Sequence, residues 1–116
     1  CPKSLPGGVT TGIRIEFKGR EKALVSAEKG FEFMKHRLEK ATGNPYCIAE
    51  FAFGTNPCGD VLLATEKAYG TCHVAIGQNT WLGGKNESSI HWDFLIDKPI
   101  VTIDEKPVLR NGKFMV

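Results

Sequence analysis

Hydrophobic residues in this chain alternate mostly with a period of two, and one long segment repeats them with the period of a helix. Ile13, Ile15 and Phe17 alternate with charged residues, which is the pattern of a half-buried strand. Residues 23–25 form a short apolar run after a Gly-Arg turn, so they are the expected hairpin partner. Further strands are predicted over residues 46–53, 72–76, 90–96, 100–103 and 107–116. Within the last of these, Asn111-Gly112 is a hairpin-type turn signal. The sequence therefore predicts an α+β fold with a largely antiparallel sheet.

One long helix is predicted after the second strand. Ser26 is expected to cap it, the helix to run from residue 27 to about 41, and Gly43 to end it in the left-handed conformation. A second, short helix is a candidate over residues 62–68. Three apolar residues at helical spacing mark the face of the long helix that packs on the sheet: Phe31, Met34 and Leu38.

Length and composition fit one globular domain. The chain has 116 residues, 41% of them hydrophobic and 24% charged, which excludes disordered, collagen-like and coiled-coil classes. No apolar run approaches the ~20 residues of a membrane span. With 15 Lys+Arg against 13 Asp+Glu there is no basic block for nucleic acid or an anionic membrane. We predict a single domain over residues 1–116, with residues 1–9 as an incoming connection, and neither nucleic acid nor membrane as partner.

The cysteines are scattered and include no CxxC pair. A zinc knuckle needs closely paired thiols, and a secreted disulfide scaffold is denser in cysteine. The pattern predicts reduced thiols in a cytoplasmic protein. The four residues are Cys1, Cys47, Cys58 and Cys72.

Glu50 lies in the most apolar stretch of the chain, residues 47–53 (CIAEFAF). A carboxylate in such a strand either faces water at an exposed edge or is buried with a partner. Burial without a partner is costly because the charged group loses its hydration. A buried Glu50 therefore predicts a cation or metal nearby.

His91 and Asp93 are two residues apart in a predicted strand (IHWDF). Residues at i and i+2 of a strand point to the same face, so an imidazole and a carboxylate are presented together. Such a pair can bind one metal, or the aspartate can bridge two. The alternative is an ordinary surface His–Asp pair, since the pattern is short.

His73 is a polar residue in an apolar strand, and Glu66 precedes it by seven residues. Taken alone, His73 fits either a core histidine or a ligand. Hard carboxylates and borderline imidazoles suit zinc, cobalt or manganese and need no thiolate. The composition expected of a site for two divalent cations is met by five residues: Glu50, Glu66, His73, His91 and Asp93.

Three stretches follow one another in a specific order: residues 49–57 (AEFAFGTNP), 66–77 (EKAYGTCHVAIG) and 89–93 (SIHWD). Together they resemble the aminopeptidase T/aminopeptidase S family, also called the thermophilic metalloproteases, to which leucyl-aminopeptidase-like proteins are similar. The resemblance runs from about Ile13 onward and is to the metal-binding C-terminal portion of that family.

The resemblance implies a dinuclear metal centre that removes N-terminal residues from peptides. A peptide is therefore the implied substrate, and association into a homo-oligomer is left open. The resemblance implies that Glu66, His73, His91 and Asp93 are metal ligands. It implies that Glu50 acts at the metal centre as ligand or general base.

The sequence departs from the family at two motifs. Residues 5–9 (LPGGV) have the frame of the family's Leu-Pro-x-Gly-Glu-Val motif without its glutamate, and residues 78–81 (QNTW) have no counterpart of its tyrosine. The family also has a larger N-terminal α/β portion. We therefore expect weak or absent aminopeptidase activity in the isolated chain, as the metal-binding domain of a longer protein or as a small relative without peptidase activity. The alternative hypotheses are a non-catalytic metal- or ligand-binding module of the same fold and a purely structural domain.

Overall fold

The computed structural model of the chain describes residues 3–5, 8–58 and 66–115. Within these residues the fold is mixed α and β and is dominated by antiparallel sheet, with one α-helix. The elements are β1 (Lys3–Leu5), β2 (Gly8–Thr10), β3 (Arg14–Phe17), β4 (Ala23–Ser26), α1 (Phe31–Lys40), β5 (Ile48–Phe53), β6 (Cys72–Gly77), a short 3₁₀ helix (Thr80–Leu82), β7 (His91–Ile96), β8 (Ile100–Ile103), β9 (Lys106–Arg110) and β10 (Lys113–Phe114).

The strands form two-stranded and three-stranded sheets. β1 pairs with β2 and β3 with β4, while the two larger sheets have the orders β5-β6-β7 and β10-β9-β8. The predicted hairpin of β3 and β4 is confirmed, with Ile15 opposite Val25. The Asn-Gly turn between β9 and β10 also has the expected geometry, since Asn111 (φ 49°) and Gly112 (φ 76°) both have positive φ.

The helix begins later than predicted, and the prediction that Ser26 caps it is wrong. Gly30 is the N-cap residue, in the left-handed conformation (φ 74°), and no side chain caps the helix. The preceding residues pair with a distant part of the chain. The Glu28 backbone N–H donates to the Thr11 carbonyl (3.0 Å), and the Thr11 N–H donates to the Lys29 carbonyl (3.0 Å). This tertiary pairing overrides the local preference for helix.

The C-terminal end of α1 at Lys40 is close to the predicted residue 41, but the residue that caps it differs from the prediction. The C-cap residue is Ala41, in an extended conformation. Gly43 is left-handed (φ 71°), as expected, but it forms a bridge with Ser88 rather than the cap. The predicted short helix over residues 62–68 lies mostly outside the described residues. No helix in the described part of the chain combines the length and apolar character that a membrane crossing requires.

Contacts divide the chain into two compact units. Unit 1 consists of Cys1–Glu50 and Ala75–Phe94, and unit 2 of Phe51–Val74 and Leu95–Val116. The core of unit 1 includes the two buried residues of α1 that were predicted to face the sheet, and its buried members are Ala23, Met34, Leu38, Ile76, Trp92 and Phe94. The prediction of a single domain remains a prediction.

Unit 2 contains its own packed side chains. Phe53 packs edge-on against both Phe51 and Phe114, with ring centroids 5.1 Å and 5.6 Å away. Tyr69 packs on the same Phe114 ring at 5.4 Å. In the three-stranded sheet of this unit, Leu109 on β9 is completely buried.

Candidate metal centre

Strand β7 presents His91 and Asp93 on one face, as the alternation predicts. Trp92 and Phe94, which point to the opposite face, are buried in the core of unit 1. The side chains of His91 and Asp93 are 15% and 34% exposed. The Asp93 Oδ1 lies 3.3 Å from the His91 Nε2. The core residues thus hold the strand in place while the imidazole and the carboxylate remain accessible at its other face.

Glu50 joins this pair from another strand of the same sheet. It lies in β5, and β6 separates β5 from β7 in the strand order. The Glu50 Oε2 is 3.6 Å from the His91 Nε2, and the Glu50 side chain is 22% exposed. Of the two alternatives for this carboxylate, the structure therefore favours partial burial beside a partner over an edge position facing water.

The three donors have the spacing that one divalent cation requires. One ligand atom each from Glu50, His91 and Asp93 lies within 4.8 Å of the other two. Donors bonded at about 2.0–2.2 Å to a tetrahedral cation are about 3.3–3.6 Å apart. The two distances from the His91 Nε2 to the carboxylate oxygens, 3.3 Å and 3.6 Å, match this donor–donor separation. Both are longer than a usual N–H···O hydrogen bond.

The chemistry of the donor set agrees with this spacing. One imidazole and two carboxylates suit zinc, cobalt or manganese. Three protein ligands also leave a coordination position for water or substrate, which is typical of catalytic sites and not of structural ones. The residues present therefore fit a divalent cation.

The orientation of His91 is set by two neighbours in the segment that follows β6. Its Nδ1 lies 2.6 Å from the backbone carbonyl oxygen of Gln78. A carbonyl oxygen only accepts, so Nδ1 carries the hydrogen and Nε2 faces the carboxylates. The indole ring of Trp81 lies 5.0 Å from the imidazole, centroid to centroid, at 52°. A hydrogen bond to the nitrogen that does not bind the metal is the usual arrangement of metal-binding histidines.

Sequence reasoning missed Gln78 as part of this site. Its contact with His91 is made by a backbone carbonyl, which every residue type has, so no sequence pattern marks it. Trp81 lies in the segment in which the family has its tyrosine. Its 63% exposure is unusual for so large an aromatic residue, and the sequence contains no signal of it.

The structure does not bring all five predicted residues into this cluster. Within residues 3–5, 8–58 and 66–115, Glu50, His91 and Asp93 are the one group of three or more suitable donors that lie together. Glu66 and His73 belong to unit 2. The Glu66 carboxylate is 3.4 Å from the Lys67 ammonium, and His73 is buried in β6. Their roles as ligands stay predictions, as does a second cation.

Comparisons with known proteins bear on the same chemistry. The thermophilic metalloprotease (M29) family matches residues 1–114. Aminopeptidase 2 of Geobacillus stearothermophilus is 28% identical in an alignment 142 residues long, which covers 97% of this chain and 34% of the relative. The chain thus spans about a third of the length of this curated relative. No solved structure matches the chain. Since the family match extends over nearly the whole chain, the resemblance is confirmed, and the chain belongs to the thermophilic metalloprotease (M29) family.

Proposed function

We propose that the chain carries the divalent-cation site of a metal-dependent aminopeptidase, which hydrolyses the N-terminal residue of peptides. The observation that carries the proposal is the convergence of Glu50, His91 and Asp93, with donor spacings suited to one cation. Membership of a metalloprotease family supports the metal dependence. The name of the bacterial relative, an aminopeptidase, supports the choice of peptide N-termini as substrate.

The residues of unit 1 have distinct tasks in this proposal. When bound, the cation supplies Lewis acidity toward the peptide carbonyl. His91 binds it through Nε2, while the Gln78 carbonyl keeps the proton on Nδ1. Asp93 supplies a second, negatively charged donor. Glu50 either completes the donor set or accepts a proton from water as general base, and its partial exposure leaves room for both roles.

The dinuclear form of the site is a further part of the proposal. By the resemblance stated above, Glu66 and His73 are expected metal ligands as well, and we propose that they contribute to binding a second ion. Carboxylate and imidazole donors are the types that zinc, cobalt and manganese accept.

A non-catalytic cation-binding module is the second candidate function. It is supported by the sequence QNTW at residues 78–81, where the family has its tyrosine. Under this alternative the Glu50–His91–Asp93 cluster binds a cation, and no peptide is hydrolysed. Cation binding and hydrolysis must therefore be measured separately.

The test of the cation site is a zinc titration of the dialysed chain, followed by thermal unfolding and by metal analysis. A ligand that binds only the folded state at 100 times its Kd stabilises that state by about 2.7 kcal/mol, so the melting temperature should rise. His91→Asn should lower the zinc affinity at least tenfold. His36→Asn, which changes an exposed histidine on α1 in the same unit, should bind zinc as the wild type does.

The outcomes separate the hypotheses. One equivalent of zinc per chain supports the cluster in unit 1 alone, and two equivalents support the dinuclear form. Absence of binding by zinc, cobalt and manganese would contradict the proposed function. Equal affinity of wild type and His91→Asn would place the bound cation elsewhere.

A further inference from the structure

We propose that Gln78 is a positioning residue, which holds the His91 imidazole in the orientation that cation binding needs. The inference rests on the proposed function, since it concerns His91 as a cation ligand. It assigns a role to a residue that has no ligand atom in the donor cluster. The role depends on the segment between β6 and β7, residues 78–90, which is mostly irregular and contains one short 3₁₀ helix.

Gln78 makes four hydrogen bonds, two through its backbone and two through its side chain. Its N–H donates to the Ile90 carbonyl (2.7 Å), and its carbonyl accepts from the His91 Nδ1 (2.6 Å). Its side-chain Oε1 accepts from the Ser88 backbone N–H (2.6 Å), and its Nε2 donates to the Thr80 Oγ1 (2.6 Å). Gln78 thus links both ends of the segment to the His91 imidazole.

The side-chain bonds contribute to fixing the direction of the backbone carbonyl. The peptide plane after Gln78 lies outside the strand ladder; its N–H, which belongs to Asn79, donates to the Asn86 carbonyl (3.2 Å), and the side-chain bonds of Gln78 add two further restraints. The bond to Ser88 fixes the end of the segment that enters β7, and the bond to Thr80 fixes the residues just after the carbonyl. Because the imidazole follows the carbonyl through Nδ1, the direction of Nε2 depends on the same bonds.

The second restraint on His91 also depends on Gln78. Trp81 packs against the imidazole at 5.0 Å and lies in the 3₁₀ helix that begins at Thr80. The bond from the Gln78 Nε2 to the Thr80 hydroxyl fixes the start of that helix. Loss of the Gln78 side chain should therefore loosen the hydrogen bond to the imidazole and the aromatic contact together.

The experiment compares zinc affinity in three variants of the 116-residue chain. Gln78→Leu removes both side-chain hydrogen bonds at similar volume, and Thr80→Val removes the bond from Nε2 alone. Asn44→Ala is the matched control: it removes two hydrogen bonds in the same unit, to the Glu21 carbonyl (2.9 Å) and from the Tyr46 N–H (3.0 Å). Zinc dissociation constants come from competition with a chelating dye, and unfolding of the zinc-free chain is measured in parallel.

We expect Gln78→Leu to weaken zinc binding by about 10- to 100-fold, the range found when residues that orient metal ligands are replaced. Thr80→Val should weaken it by a smaller factor, and Asn44→Ala should leave it within about twofold of the wild type even if it lowers the stability. In the zinc-loaded wild type, ¹⁵N NMR should show His91 protonated at Nδ1. In zinc-loaded Gln78→Leu that signal should broaden or shift, which a general loss of stability does not cause.

The results also separate this inference from the proposed function. If the wild type binds no zinc, both are wrong. If the wild type binds zinc and both Gln78→Leu and Thr80→Val bind it equally well, the inference is wrong and the cation site stands. An Asn44→Ala variant that loses as much affinity as Gln78→Leu would also overturn the inference, because the effect would then follow stability. If Gln78→Leu does not fold, Thr80→Val decides between these results.

Discussion

At the scale of single residues, the candidate site depends on which nitrogen of His91 faces the carboxylates. The Gln78 carbonyl holds the hydrogen on Nδ1, so Nε2 points to Glu50 and Asp93. In a neutral imidazole that nitrogen is an acceptor, as the carboxylate oxygens are. Three acceptors this close together attract a cation or a proton, which is the physical basis of the proposed site.

Glu50→Gln tests the contribution of the Glu50 carboxylate to the donor cluster. The amide keeps the shape of the side chain but removes the negative charge, so zinc affinity should fall at least about tenfold, as even the loss of an orienting partner does. The measurement is the zinc dissociation constant of the variant. Glu16→Gln is the control, since Glu16 lies in the same unit and its carboxylate contacts the Lys18 ammonium at 2.8 Å. Equal loss in both variants would indicate a general effect of charge and not a ligand role.

The thiols provide a second prediction at this scale. Burial raises the pKa of the Cys47 thiol, with a smaller contribution from the negative charge of Glu21, and burial also raises the pKa of Cys72. Cys58 is exposed. Because the thiolate is the reactive form, a raised pKa leaves less of it at pH 8, and reaction requires access as well.

Iodoacetamide at pH 8 should therefore modify Cys58 well before Cys47 and Cys72, as measured by peptide mass spectrometry over time. Raising the pH should accelerate labelling of the two buried thiols, because their thiolate fraction increases. The same reaction in guanidinium chloride, where all thiols are accessible, is the control. Labelling of Cys47 or Cys72 as fast as that of Cys58 in the folded chain would contradict the burial described above.

At the scale of elements, the connections decide where the helix and the strands begin. The segment before α1 has a helical pattern from residue 27, yet its backbone pairs with Thr11 and the helix starts at Phe31. Similarly, Gly43 is left-handed as expected, but it contacts the end of the segment that leads into β7. The pairing of Gly43 with Ser88 holds the 78–90 segment against the rest of unit 1.

Substitution of two glycines with nearly equal φ angles distinguishes the strain of the left-handed conformation from a steric collision with a neighbouring atom. Gly19 (φ 77°) has no atom within 4 Å of an added Cβ, whereas at Gly43 (φ 71°) that atom would collide with the Glu87 carbonyl. Gly19→Ala should cost about 1–2 kcal/mol from the left-handed conformation alone. Gly43→Ala should cost about 1–3 kcal/mol more, because the backbone must shift. Urea unfolding measures both, and equal costs would show that the Gly43 contact yields without strain.

At the scale of the whole molecule, the chain forms two compact units and spans about a third of the length of its curated relative. The donor cluster lies entirely within unit 1. In the proposed function, cation binding depends on this unit, while peptide hydrolysis also needs groups that position the substrate. Such positioning contributes several kcal/mol to catalysis in enzymes generally.

We expect the 116-residue chain to bind zinc and to hydrolyse a chromogenic leucine or phenylalanine substrate slowly or not at all. Residues 78–81 contain no tyrosine where the family has one, and a group that stabilises developing charge contributes roughly 3–4 kcal/mol in comparable sites. Rates are measured with zinc or cobalt for the wild type and Glu50→Gln. Rapid turnover that disappears in Glu50→Gln would contradict the expected inactivity and support the site. Turnover that survives the substitution would indicate other catalytic residues or a contaminant.

The sequence alone determined the features that depend on neighbouring residues. Period-two alternation located β3, and a short apolar run after the Gly-Arg turn located β4. The Asn111-Gly112 pair predicted the turn between β9 and β10, and the spacing of His91 and Asp93 placed both on one face of β7. Each of these follows from side-chain alternation or from local backbone preferences, which a few adjacent residues settle. The ordered motifs were also enough to identify the family.

Only the tertiary structure decided which distant groups meet. Glu50 and His91 come together because β5 and β7 both pair with β6 in one sheet. Strand order of this kind is not a local property of the sequence. The Gln78 carbonyl reaches Nδ1 because side-chain hydrogen bonds hold an irregular segment, and every residue has such a carbonyl. The start of α1 at Phe31 likewise results from pairing with Thr11, nearly twenty residues earlier. Local pattern specifies what each strand presents, whereas long-range pairing specifies which of those groups come within bonding distance.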